Sequence, residues 1–155
     1  GAAYLYCRKH SLPFLRWVDC FIPCVALAQG FGRIGCFLAG CCFGKPTESF
    51  LGVTFPAGSM APAGIPLWPV QLFSAAGDFL LAGALLLLEK KRRGDGLLAG
   101  AYLLLYSIGR FLIEFLRADP RGAVGTLSTS QFIALFTAAA GAAILILRKR
   151  GTPHG

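Results

Sequence analysis

Charge is what this sequence has least of. Only 14% of its 155 residues are Asp, Glu, Lys or Arg, while 55% are hydrophobic and the mean hydropathy is +0.64. A water-soluble domain carries about a quarter of its residues as charges, so that class is excluded. Methionine is almost missing as well. The only one, Met60, lies deep inside the chain, so Gly1 is not a translational start and a cleaved, trimmed or partial product is expected. No secretory signal is visible, because Arg8, Lys9, His10 and Arg16 interrupt the apolar stretches of residues 1–18. Internal repeats and low-complexity segments are absent too.

What is present is bunched. Apolar runs near 20–38, 71–88, 97–116 and 131–147 each approach the roughly 20 residues that a membrane-crossing helix needs. The expected fold is an all-α membrane protein, one polytopic helical bundle over 1–155 with four transmembrane helices and an external loop at 44–70. Residues 1–18 read as an amphipathic or irregular approach broken at Pro13, with Asp19 at the boundary. The loop holds Pro46, Pro56, Pro62, Pro66 and Pro69 with Gly52, Gly58 and Gly64, which predicts turns and one short strand at 52–55. Its length suits a lid or a binding loop. The short connection 89–96 makes the second and third spans an antiparallel pair.

A net charge of +8 raises the question of nucleic acid, and the positions of the cations answer it. Arg8, Lys9 and Arg16 precede the first span; Lys90, Lys91, Arg92 and Arg93 separate the second from the third; Arg148, Lys149 and Arg150 follow the fourth. Basic loops are retained in the cytoplasm, so these three regions share that side and the C-terminus is cytoplasmic. No nucleic-acid partner is expected.

Four ionisable residues fall inside the runs: Arg33, Asp78, Arg110 and Glu114. Each costs at least ~2.5–3.5 kcal/mol to insert unless it has a partner or a task. Arg33, Asp78 and Arg110 lie ~9–11 Å inward from the external ends of their spans, which puts three helices' charges in one layer. Tyr106, Arg110 and Glu114 follow an i, i+4, i+8 spacing and share one helix face. Glu114 can orient Arg110, whose planar fork suits two phosphate oxygens, and Arg33 would supply a second clamp. A buried ion pair that fixes helix registry is the competing reading, and Tyr106 could be a core aromatic. Arg117, Asp119 and Arg121 read as a solvated rim. Gly30, Gly32, Gly35 and Gly40 would let a helix or a lipid headgroup approach the backbone.

Cys20 and Cys24, four apart on a helix, are expected to pack as small apolar residues. Cys36, Cys41 and Cys42 lie at the outer end of the first span, where an oxidising compartment would permit a disulfide. No histidine is near them and a closed zinc site wants four ligands, so no metal is assigned.

Residues 32–47 read GRIGCFLAGCCFGKPT. This resembles the signature of the prolipoprotein diacylglyceryl transferases, roughly Gly-Arg-x-Gly-Asn-Phe-x-Asn-x-Glu-x-x-Gly. Gly32, Arg33, Gly35, Phe37 and Gly44 agree; Cys36 and Ala39 replace the asparagines, and Cys41 the glutamate. The family's His-Pro-Ser-Gln-Leu-Tyr-Glu element is similar to Trp68-Pro69-Val70-Gln71-Leu72-Phe73-Ser74, followed by Asp78. Tyr106-x-x-x-Arg110-Phe111-x-x-Glu114-Phe115-x-Arg117 with Asp119-Pro120 resembles the family pattern almost throughout, and Gly125-x-Leu127-Ser128-x-x-Gln131 resembles the segment opening its last helix.

The resemblance runs from about Asp19 to the end and implies the C-terminal part of such an enzyme, without the family's N-terminal spans and their His-Gly-Gly element. It implies a multi-pass protein of the bacterial plasma (inner) membrane. The implied reaction transfers a diacylglyceryl group from phosphatidylglycerol to the cysteine thiol of a prolipoprotein signal peptide. The implied partners are those two substrates and the lipid bilayer, with no cofactor and no metal. Arg110, Glu114 and Tyr106 are the implied catalytic groups, Arg33 and Arg110 the phosphate ligands, and Gly32, Gly35, Gly44, Gln71 and Asp78 the pocket. Cys36, Cys41 and Cys42 take packing roles in place of the family's polar network. His10 and His154 lie on the cytoplasmic side, so the base comes from the missing part and the fragment alone is inactive. Two other readings stay open: a lipid-phosphate-binding or transport protein without transferase activity, and a thiol-redox membrane protein using Cys41 and Cys42.

Overall fold

The computed structural model describes residues 2–91, 96–117, 123–124 and 127–150. Among the described residues five helices follow one another: α1 (Ala2–Lys9), α2 (Phe14–Leu38), α3 (Val70–Lys91), α4 (Leu97–Glu114) and α5 (Thr129–Arg150). Between α4 and α5, two-residue strands β1 (Ala123–Val124) and β2 (Leu127–Ser128) pair antiparallel. Stretches of α2 to α5 are long and apolar enough to cross a membrane: Phe14–Leu38, Val70–Lys90, Leu97–Glu114 and Thr129–Leu147. The count of four is the one the apolar runs imply.

The first of these helices begins at Phe14 rather than near residue 20. Pro13 stands at its N-cap with φ −70 and ψ 98, where a missing N–H removes no helix bond, so the proline starts α2. The 25 residues of α2 make a rod ~37 Å long, more than a ~30 Å hydrocarbon layer takes up without tilt. Helix α1 precedes it as one short element with Cys7 buried and Tyr4, Leu5 and Tyr6 exposed.

Helices α2, α3 and α4 share a core of Ala26, Leu81, Ala82, Leu85, Leu98, Ala101 and Tyr102. Small residues set how closely the rods approach. A Cβ at Gly30 would stand 2.7 Å from the Phe79 ring, and one at Gly141 would stand 2.8 Å from the Leu104 nitrogen, where α5 crosses α4. The outward faces carry Leu80, Leu87, Leu105, Leu112, Phe136 and Leu147, all exposed. Such broad apolar surface is more than a water-soluble monomer exposes.

One carboxylate ties two helices together. Asp19, buried in α2, accepts the Ala99 N–H at 2.8 Å. Ala99 lies in the first turn of α4, whose own cap position is Gly96 without a side chain to offer. Asp19 therefore satisfies an orphan helix donor from a neighbouring rod and places negative charge at the positive helix end.

The segment 39–69 folds back onto one end of the bundle, here termed the loop end. Phe55, Ala61 and Leu67 form a small second core with Phe37 and Phe43 packed on it. The strand expected at 52–55 is reduced to isolated bridges, Val53 with Leu67 and Phe55 with Ala63, because prolines interrupt any longer ladder. The Gly44 N–H donates to the Trp68 carbonyl at 3.0 Å and the Lys45 N–H to the Leu116 carbonyl at 2.9 Å. These bonds bring the ends of α2 and α4 and the start of α3 to one place. The connection 92–95 lies outside the described residues.

Candidate functional site

Between α2, α3 and α4, near the loop end, is an open cleft of about 420 Å³. Its polar wall comes from Arg33 on α2, Ser74 and Asp78 on α3, and Tyr106 and Arg110 on α4; leucines, isoleucines, an alanine and two glycines make the rest. Counted from Leu38, Val70 and Glu114, the three charged positions lie ~8, ~12 and ~6 Å inward, a looser layer than the ~9–11 Å expected: Arg33 stands only five positions before Leu38, and α4 stops at Glu114, which leaves Arg110 shallower. The charges of Arg33 and Arg110 act on one another, and that of Arg33 acts on Asp78. Two guanidinium groups and one carboxylate thus share the cleft, an excess of positive charge.

Arg110 is fixed on both arms of its fork. Nη1 lies 2.8 Å from Glu114 Oε2, and Nη2 donates to Ser130 Oγ at 3.0 Å. The first contact follows from the i, i+4 spacing; the second comes from α5. Glu114 also faces Arg117, whose Nε is 4.0 Å from the same oxygen. Arg117 is only 7% exposed and its backbone bridges to Gly44, which corrects its reading as a solvated rim. Leu116 and Arg117 pack against the start of the loop at Gly44 and Lys45. Asp119 and Arg121 lie outside the described residues.

Tyr106 stacks on Tyr102 with ring centroids 5.5 Å apart and planes at 13°, and the Tyr102 hydroxyl donates to Gln29 Oε1 at 2.7 Å. Both tyrosines border a second cleft of about 350 Å³ between α4 and α5, which also meets Arg110, Ser107, Ser130 and Thr137. Tyr106 and Arg110 thus form a wall common to two spaces. Asp78 is buried, and its Oδ2 has no hydrogen-bond partner within the described residues.

The remaining expected pocket residues are not brought together there. Gly32 and Gly35 are exposed on α2, and a Cβ at either would meet nothing within 4 Å. Gly44 is buried where a Cβ would stand 2.6 Å from Trp68, so it permits the crossing of loop and α3 start. Gln71, 1% exposed, donates from Nε2 to the Cys41 carbonyl at 2.7 Å. Both fix the loop rather than line the cleft. Ser130, Ser74 and Gln29 were not marked by the sequence; Ser130 and Gln29 reach their partners across helices, where no local spacing signals a contact.

None of the six cysteines is joined in a disulfide. Cys20 and Cys24 are exposed on the outer face of α2, which corrects their reading as packed residues. The Sγ atoms of Cys36, Cys41 and Cys42 lie within 4.8 Å of one another. Partial burial pushes the Cys41 thiol up to about 11, helped by its hydrogen bonds to Cys36 and Cys42 and by their charge.

A bundle of four helices long and apolar enough to cross a membrane, with two arginines and a buried carboxylate on one cleft, has the architecture of a polytopic membrane protein. The chain belongs to the prolipoprotein diacylglyceryl transferase family, whose profile matches residues 1–147. It is 52% identical over 136 residues to the phosphatidylglycerol–prolipoprotein diacylglyceryl transferase of Clostridium tetani, covering 88% of this chain and 55% of that protein. It is 53% identical over 128 residues to transferase 2 of that name from Clostridium perfringens, covering 83% and 50%. The Chlorobaculum tepidum transferase is 36% identical over 154 residues, covering 96% and 52%. The chain spans about half the length of the curated relatives it matches.

Proposed function

We propose that the complete protein transfers the diacylglyceryl group of phosphatidylglycerol to the cysteine thiol of a prolipoprotein signal peptide. A carbon–sulfur bond forms at the glycerol carbon, the bond from that carbon to the phosphate ester oxygen breaks, and glycerol phosphate leaves. The thiol proton passes to a base, and the departing phosphate takes up a proton from the medium. Arg33 and Arg110 hold the phosphate and stabilise the charge that grows on it as the ester bond opens. Glu114 and Ser130 keep the Arg110 plane aimed, and Tyr106 is positioned to donate a hydrogen bond. The apolar walls accept the start of the acyl chains.

The observation that carries this reading is the placement of Arg33 and Arg110, from separate helices, on one cleft with Glu114 2.8 Å from Arg110. The three basic regions argue for a bacterial plasma membrane protein with the loop end outside and the C-terminus in the cytoplasm. The test is complementation. The full-length gene restores lipoprotein modification in a transferase-depleted bacterium; a lipid binder without transfer chemistry would insert normally and leave prolipoproteins unmodified.

A further inference from the structure

At its loop end α2 closes in a turn that gathers thiols. The Gly40 N–H donates to the Phe37 carbonyl and the Cys41 N–H to the Cys36 carbonyl, both at 3.0 Å, with Gly40 at φ 66. These are the paired bonds of a Schellman cap, which packs the residue two beyond the cap against one in the last helical turn. Here both are cysteines. An ordinary apolar contact would be complete with that pair, yet the next residue joins it. Cys42 takes a left-handed backbone at φ 58, a region that side chains other than glycine, asparagine and aspartate enter at a cost. With Cys42 so turned, the three Sγ atoms come within 4.8 Å of one another, and all three residues are half-buried.

Metal–sulfur bonds of ~2.3 Å in a trigonal plane set their sulfurs ~4 Å apart. The thiols therefore need move by less than ~1 Å to close on an ion, within reach of small χ1 adjustments. Among the described residues no histidine or carboxylate joins the group, so the donors are sulfur alone, a set that selects soft ions. Three sulfurs suit a three-coordinate monovalent ion, whereas zinc closes its structural sites with four ligands. None of the three cysteines lines the lipid cleft.

We propose that Cys36, Cys41 and Cys42 form a three-sulfur site for a soft monovalent cation of the Cu(I) class, separate from the cleft that receives the lipid. The site lies in the turn that seats the loop: the Cys41 carbonyl receives Gln71, and Gly44 follows two residues after Cys42. A bound ion would lock the start of the loop against α3.

The experiment uses the full-length protein in detergent under anaerobic conditions, with Cu(I) partitioned against a chromogenic Cu(I) chelator. One Cu(I) per chain should be retained, with X-ray absorption showing three sulfur neighbours. Cys41→Ser should weaken retention at least ~100-fold, beyond the loss typical of an outer-shell partner. Cys42→Gly relieves the left-handed backbone and so should fold at least as stably without metal, while losing Cu(I) to the same extent. The double variant Cys20→Ser/Cys24→Ser should bind as the parent does. Equal retention by Cys42→Gly, loss in the Cys20/Cys24 variant instead, a two-sulfur spectrum, or a disulfide among the three thiols in the anaerobic protein would each overturn the proposal.

Discussion

Arg110 is held by two groups of unlike strength, a carboxylate at 2.8 Å and a hydroxyl at 3.0 Å. The carboxylate contact pairs opposite charges, while the hydroxyl accepts a hydrogen bond from the other arm of the fork. Arg110→Ala in the full-length enzyme should lower kcat by at least ~10²-fold, the scale of losing one group that stabilises a developing anion, while membrane insertion is unchanged. Turnover of labelled phosphatidylglycerol checks this, and a near-parental rate would remove Arg110 from the chemistry. Cys41 gives a separate prediction. With its thiol at about 11 in place of the usual 9.0, it carries about 100-fold less thiolate at neutral pH than an ordinary cysteine. Its alkylation, followed by peptide mass mapping, should be slow at about pH 7 and climb about tenfold per pH unit to about pH 10 without levelling. A plateau near neutrality would contradict the burial argument. The sequence made the Arg110–Glu114 contact legible because it is local to one helix. Ser130 was not, since α5 supplies it from 20 positions further along. Arg117 reads as a rim for the same kind of reason: its burial depends on a loop that begins at Gly44.

Helices are where the sequence was most readable, and their junctions least. Four apolar runs announce four rods by length alone. The start of α2 did not show, because a proline reads equally as a break and as a first-turn residue. Asp19 looked like a boundary charge, yet it caps α4 from 80 residues away, a contact set by packing and not by spacing. Asp19→Ala should therefore destabilise the protein by ~1 kcal/mol, and Asp19→Asn by much less because an amide oxygen still accepts the Ala99 N–H. Denaturation in detergent micelles measures both; equal stability of Asp19→Ala and the parent would show that the cap contributes nothing. Gly40 is a second junction. At φ 66, with a Cβ placed 2.7 Å from that of Ser59, Gly40→Ala should cost at least ~1–2 kcal/mol and loosen the loop. Unchanged stability with unchanged proteolysis of residues 44–69 would refute it.

For the whole molecule, the loop end collects what the rods carry: the ends of α2 and α4, the starts of α3 and α5, two arginines and a buried carboxylate. The basic residues gather in the sequence at the other turns, and from this we expect a reporter fused at the C-terminus to score as cytoplasmic. A periplasmic or surface score would invert the orientation and leave the cleft facing the wrong leaflet for a secreted acceptor. The central claim is that Arg33 and Arg110 grip one phosphate together. Its most direct test is equilibrium retention of labelled phosphatidylglycerol by the full-length protein with Arg33→Ala, Arg110→Ala and both changes. The account predicts that either single change removes most of the retention and that the double variant loses far less than the two losses combined, because both act on one headgroup. Parental retention by Arg33→Ala, or losses that add independently, would contradict it.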